Sequence, residues 1–121
     1  MGDVASFQFR APADLMNLND RMHWAKRASL AKAWRETTGW NAIAQLPKSF
    51  RPCPGFVGVS ICLPVTSMRR RDAHNFVATT KPIVDGLVDA KVVVDDDTTH
   101  LMTTEPTFKV SQFVVVTITQ L

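Results

Sequence analysis

Apolar and polar residues alternate from Val4 to Arg10, a period of two that predicts a strand, and Pro12 ends it. From about Asp20 to Leu46 the residues favour helix, with Leu30 and Trp34 four apart and Arg and Lys placed between apolar positions. Gly39 is where that helix is expected to bend or divide. Pro47, Pro52, Pro54 and Gly55 predict a loop, and Phe56 to Pro64 reads as a second, mostly buried strand. A second helix follows Asp72, with Phe76, Thr80, Ile83, Leu87 and Ala90 on one face. Lys81, Asp85 and Asp89 lie on the opposite face, because steps of four residues advance only about 40°. Pro82 has no N–H, so regular helix is expected to begin close to it, with Thr79 or Thr80 as N-cap and Asn75 to Ala78 as a preceding turn. Val92 to Val94 reads as a short buried strand or a turn-in, stopped by Asp95, Asp96 and Asp97. Two closing strands are expected, one near Leu101 to Thr104 or onward to Val110, the other from Phe113 to Thr119. The order β-α-β-α-β-β predicts an α+β fold: one domain over residues 1–121, with a mixed sheet and two main helices.

Composition narrows the class. With 121 residues and 45% hydrophobic content the chain can bury one ordinary core, and with 21% charged residues, seven Pro and five Gly it resembles no disordered, collagenous or coiled-coil sequence. Apolar runs fall short of the roughly 18 residues that span a bilayer, and no signal-peptide pattern opens the chain, so no membrane partner and a cytoplasmic location are expected. Two cysteines, Cys53 and Cys62, supply neither a disulfide framework nor a four-ligand zinc site by themselves. The net charge of +3 conceals a division: residues 1–71 carry eleven Lys and Arg against four acids, residues 72–121 three against seven. A basic half attracts a polyanion and an Asp-rich half suits a divalent metal, although ordinary solvated surface explains both.

Asp72, Asp85, Asp96 and Asp97 surround the second helix in sequence. Hard cations such as Mg²⁺ take oxygen ligands, commonly one or two protein carboxylates, with positions left for water and substrate phosphate. Lys81 between them suits stabilisation of developing negative charge. The bland alternative is that an acidic triplet is a solvated turn. Arg69, Arg70 and Arg71 either bind phosphates or neutralise neighbouring acids. His23 either stacks on a base or caps a helix, and Trp24 is expected in the core.

Three ordered blocks carry a resemblance. Arg70-Arg71-Asp72-Ala73-His74-Asn75, then Lys81-Pro82-Ile83-Val84-Asp85-Gly86-Leu87-Val88-Asp89-Ala90, then Val94-Asp95-Asp96-Asp97, resemble the R-R-D-x-D-N, K-x-x-x-D-x-L and D-D signature of the RusA family of Holliday-junction resolvases. The stretch Asn19 to Trp24 and the basic helix after it are also similar to that family, so the resemblance covers about residues 19–102.

The resemblance implies a homodimeric endodeoxyribonuclease, often phage- or prophage-encoded, that binds branched DNA and uses Mg²⁺ or Mn²⁺, without an organic cofactor, to nick two opposed strands. It implies Asp72, Lys81, Asp85 and Asp96 as catalytic residues, with Asp72, His74, Asp85 and Asp96 at the metal, and Asp97 as substitute for Asp96 should the register slip by one. Arg21, Lys26, Arg27, Lys32, Arg35, Arg69, Arg70, Arg71 and Asn75 would contact DNA. The chain departs from the family at three places. His74 stands for an Asp and is a poorer partner for Mg²⁺ than for Mn²⁺. The link from Asn75 to Lys81 is longer than the family's, and Lys91 stands for a Gly after the helix, where left-handed geometry would cost about 1 kcal/mol. Two rival readings are a catalytically silent junction-binding module and an interaction protein that uses the basic helix for a protein partner.

Overall fold

The structure, a computed structural model, describes residues 3–53, 55–94 and 101–121. The strands are β1 (Val4–Arg10), β2 (Val57–Val65), β3 (Leu101–Thr103), β4 (Thr107–Val110) and β5 (Phe113–Gln120), and the helices are α1 (Trp24–Gln45) and α2 (Val77–Asp89). Short 3-10 turns occupy Lys48–Phe50 and Ala73–Phe76. The sheet runs β1-β5-β2-β3, with β4 also beside β2. β5 is antiparallel to β1 and β2, whereas β3 and β4 run parallel to β2, which makes the sheet mixed and the domain α+β.

Alternation decides which face of the sheet is buried. Phe7 and Phe9 of β1, Val114, Val116 and Ile118 of β5 and Val57, Val59, Ile61 and Leu63 of β2 are all buried, and the register sets Phe7 beside Val116 and Val116 beside Ile61. Polar Ser6 and Thr117 meet on the other face, their hydroxyls 3.0 Å apart. Trp34 is fully buried among these apolar residues and donates its indole N–H to the Asp14 carbonyl at 3.1 Å. Thr79, also fully buried, accepts the Met16 N–H at 2.6 Å and donates to the Met16 carbonyl at 2.8 Å. Those two bonds tie the segment after β1 across α2.

The structure corrects several boundaries. α1 begins at Trp24, not near Asp20, because His23 Nδ1 accepts the Ala25 N–H at 3.1 Å and so satisfies one donor of the first turn. Trp24 is 76% exposed instead of in the core, and its ring tilts against His23 with centroids 5.6 Å apart. Gly39 neither bends nor divides the helix, which runs unbroken to Gln45. α2 begins at Val77, five residues before Pro82, and Phe76 occupies the N-cap. Thr79 serves Met16 instead of capping, and Pro82 sits buried inside the helix, where its packing offsets the missing bond to the Ala78 carbonyl. The first expected closing strand is two short strands, interrupted from Thr104 to Pro106, since Pro106 cannot donate to the ladder.

Val92 to Val94 forms a turn-in, not a strand. Ala90 caps α2, Lys91 follows with φ of +64°, its N–H bonds to the Val88 carbonyl and the Val92 N–H bonds to the Leu87 carbonyl, both at 3.0 Å. This is a Schellman closure, and both Val92 and Leu87 are buried in the core. A lysine in the left-handed region carries the Cβ penalty that glycine lacks. Lys91→Gly is therefore expected to raise stability by up to about 1 kcal/mol, read from the midpoint of urea unfolding.

One edge of the sheet is closed by a side chain. Gln45, the last residue of α1, donates from Nε2 to the Gln8 carbonyl at 2.7 Å and accepts the Gln8 N–H at 3.4 Å through Oε1, while Asn41 Oδ1 accepts from the same Nε2 at 3.0 Å.

Candidate active site and basic groove

Asp72, His74 and Asn75 lie at the start of the helical segment that continues into α2. Asp72 is the exposed residue preceding the 3-10 turn; its carbonyl accepts the Asn75 N–H at 3.1 Å, while its carboxylate makes no capping bond. His74 is exposed within that turn. Asn75 is anchored through its own carbonyl, which accepts the Leu18 N–H at 2.8 Å. The turn therefore carries a carboxylate and an imidazole to solvent on backbone that is fixed from both sides.

One and two turns into α2, Lys81 and Asp85 form an i,i+4 pair with Nζ to Oδ1 of 2.7 Å. Asp85 is the less exposed partner, at 28% against 55%. A carboxylate in that position fixes the ammonium in space and leaves its second oxygen for another partner. His74 lines a shallow cavity of about 170 Å³ with Thr80, Thr103 and Thr104; Lys81 lines an adjoining one of about 120 Å³ that shares those three threonines. The two side chains thus border one depression between α2 and the β3–β4 connection. Asp72 lines neither cavity.

Among the described residues no three His, Cys, Asp or Glu side chains come together as a metal-binding cluster. Asp96 and its substitute Asp97 lie outside the described residues. The oxygen donors of Asp72 and Asp85 suit a hard cation, and a Mg²⁺ ion that keeps its waters needs only one or two such carboxylates. Neither cysteine offers an alternative centre: both are free thiols, and burial pushes the Cys53 thiol up, against a smaller opposing effect of its hydrogen bond with Gln120.

The basic residues separate into engaged and exposed groups. Arg35 makes a bidentate pair with Asp89, Nε to Oδ2 at 2.6 Å and Nη2 to Oδ1 at 2.8 Å, and so joins α1 to the end of α2. Arg27 donates to the Asp20 carbonyl at 3.0 Å, and Lys32 lies 3.8 Å from Glu36. Arg21, Lys26, Arg69 and Arg70 are exposed. Arg71 is half-buried, and its Nη1 donates to the carbonyls of Ser67 and Arg69 at 2.9 and 3.3 Å.

The hydrogen bond from Arg35 holds the Asp89 carboxyl below its ordinary range. An unfolded Asp titrates near 3.9, so between that value and the lower folded value the unfolded chain binds more protons. The pair's contribution is complete above about pH 4 and is lost as pH falls through the folded value. Both side chains are about half exposed, so solvent keeps that contribution below about 1 kcal/mol. Asp89→Asn is expected to unfold less steeply with acid below about pH 4 than the parent, while being slightly less stable at pH 7, as followed by circular dichroism.

A further concavity among the described residues is one that no pattern along the chain foretells. An open groove of about 690 Å³ is bounded by Arg10 at the end of β1, Asp14 and Asp20 in the following segment, Arg69 and Arg71 after β2, and Gln112 between β4 and β5. Alternation places Arg10 on the outward face of β1, but nothing in the sequence brings it to Arg69 and Arg71, which lie some sixty residues away; only the sheet order does.

Compared with models of known protein families and with curated proteins, the chain matches none.

Proposed function

We propose that this chain is a RusA-like endodeoxyribonuclease, cytoplasmic and dimeric, which hydrolyses phosphodiesters at four-way or other branched DNA junctions with Mg²⁺ or Mn²⁺. The observation that supports the reading most is the ordered set of three motif blocks, of which the first leads into the helical segment that carries the second, with Asp72 just before its first turn and the Lys81–Asp85 pair farther along. Asp72 and Asp96, together with Asp85 and His74, would hold the cation. When bound, such an ion neutralises phosphodiester charge and activates water. Lys81, steadied by Asp85, stabilises negative charge on the reacting phosphate or its leaving oxygen. Exposed Arg69 and Arg70 attract the backbone without reading bases. Two opposed nicks across a two-fold junction are most simply made by two such sites related by a two-fold axis, so a dimer of about 27 kDa, twice the 13.5 kDa chain, is the expected species.

The test incubates the protein with labelled four-way junctions and with linear duplex, in Mg²⁺, Mn²⁺ and EDTA. Metal-dependent cutting restricted to branched DNA supports the reading, and its absence with four-way junctions, and with forks and flaps added to the set, in both metals overturns it. His74 in place of Asp favours a second reading, a junction-binding module without catalysis, which binding in EDTA with no cutting in either metal would establish. Should His74 ligate, His74→Asp is expected to lower the Mn²⁺ to Mg²⁺ activity ratio; an unchanged ratio places the imidazole beside the site only.

A further inference from the structure

We infer that the groove between Arg10 and Arg69–Arg71 is a channel for the phosphodiester backbone of a DNA arm; the inference rests on the nuclease reading above and adds to it a path for the substrate. Three guanidinium groups from two separate segments of chain face a single open trough of about 690 Å³, far larger than one phosphate needs and not closed around a small ligand. Two of the three are held in place. The Arg10 guanidinium lies 5.4 Å from the centre of the Phe113 ring and donates through Nη1 to Gln112 Oε1; that of Arg71 lies 5.7 Å from the Phe108 ring, with Nη1 on two carbonyls. An arginine stacked on a ring and tied by one nitrogen has given up much of its freedom before a ligand arrives, which lowers the ordering cost of each phosphate interaction. Only Nη1 makes a hydrogen bond in each case, which leaves the Nε and Nη2 donors for an anion.

The groove also adjoins the proposed metal site. Arg71 directly precedes Asp72, so a strand lying in the trough passes beside the residue proposed to hold the metal. Asp14 and Asp20 lie in the segment after β1; Asp20 Oδ2 accepts the Asn17 N–H at 2.9 Å. With three arginines and two aspartates in its lining the trough is only weakly positive, so its affinity would come from placed hydrogen bonds more than from diffuse charge.

The experiment measures binding of a labelled four-way junction by fluorescence anisotropy in EDTA, across a salt series, for the parent chain and for Arg10→Ala, Asp14→Asn and Lys48→Ala. Lys48 is exposed but lies outside the groove, and it controls for net charge. Arg10→Ala is expected to weaken binding several-fold and to reduce the slope of log affinity against log salt by about 0.9 for each phosphate that is no longer neutralised. Asp14→Asn is expected to tighten binding, and Lys48→Ala to leave the slope unchanged. Circular dichroism checks that each variant folds; should Arg10→Ala not fold, the Asp14→Asn arm decides. A junction-binding parent whose slope is the same in Arg10→Ala, whose affinity does not rise in Asp14→Asn, or whose slope shifts equally in Lys48→Ala, overturns the channel alone. A parent that binds no junction overturns the channel and the nuclease reading together.

Discussion

Gly86→Ala is expected to lower stability by about 2–3 kcal/mol, a fall in Tm on the order of 10 °C for a domain of this size. A Cβ built on Gly86 would stand 2.5 Å from the Arg35 carbonyl oxygen, 2.9 Å from Thr38 Cβ and 3.1 Å from the Gly39 nitrogen. Two of those three atoms are backbone of α1, so no rotamer change can clear them and the helices must move apart. Separation would loosen fully buried Trp34, Thr38, Ile83 and Leu87. Alanine's better helix propensity returns at most about 1 kcal/mol, less than the clash. Gly39→Ala is the informative companion, because its Cβ would meet only the Gly86 carbonyl, at an ordinary 3.4 Å, so that the helix-propensity gain of up to about 1 kcal/mol is unopposed and the variant is expected to be as stable as the parent or slightly more so. Thermal melts in which the two alanine variants behave alike would show that the helices do not cross as closely as described.

Asp72→Asn is the second large effect, on activity. Removing a residue that merely orients a metal ligand costs about 10–100-fold, so removing a ligand charge is expected to reduce cleavage of a four-way junction by at least about a hundredfold. The change keeps volume nearly constant, and the Asp72 carboxylate makes no capping bond, so folding should be indifferent to it. Junction binding in EDTA should persist. Parent-like cutting rates in this variant would remove Asp72 from the proposed site.

The strands are legible in the sequence because one-sided burial imposes a period of two: β1, β2 and β5 follow the alternation of Phe7 and Phe9, Val57 to Leu63 and Val114 to Ile118. The start of α2 is not, because Pro82 acts locally whereas the competing force is tertiary, Thr79 bonding to Met16 from sixty-three residues away. The size of Trp24 points to the core, yet Trp34 already fills the aromatic space there against Phe9. Gly39 reads as a breaker, yet α1 runs through it unbroken, and the missing side chain that lets the two helices approach is that of Gly86. For the candidate site, i,i+4 spacing correctly brings Lys81 and Asp85 together, and the same helical register sets Asp89 against Arg35 only once the two helices are packed. Asp95 to Asp97 fall outside the described residues. The Arg10 contribution to the groove depends on strand order, which no spacing rule supplies.

The contact of Gln45 with β1 bears on how copies of this chain can meet. β1 is an outer strand, and an outer strand with bare amides and carbonyls is a template on which another chain can continue the sheet. Here the Gln8 amide and carbonyl are already answered by one carboxamide, itself restrained by Asn41. An incoming strand would have to evict that group and would gain little, because it would replace bonds already made. Addition of a strand is thereby discouraged at this stretch of the rim, and a symmetric pairing of two copies through β1 is directed away from Gln8.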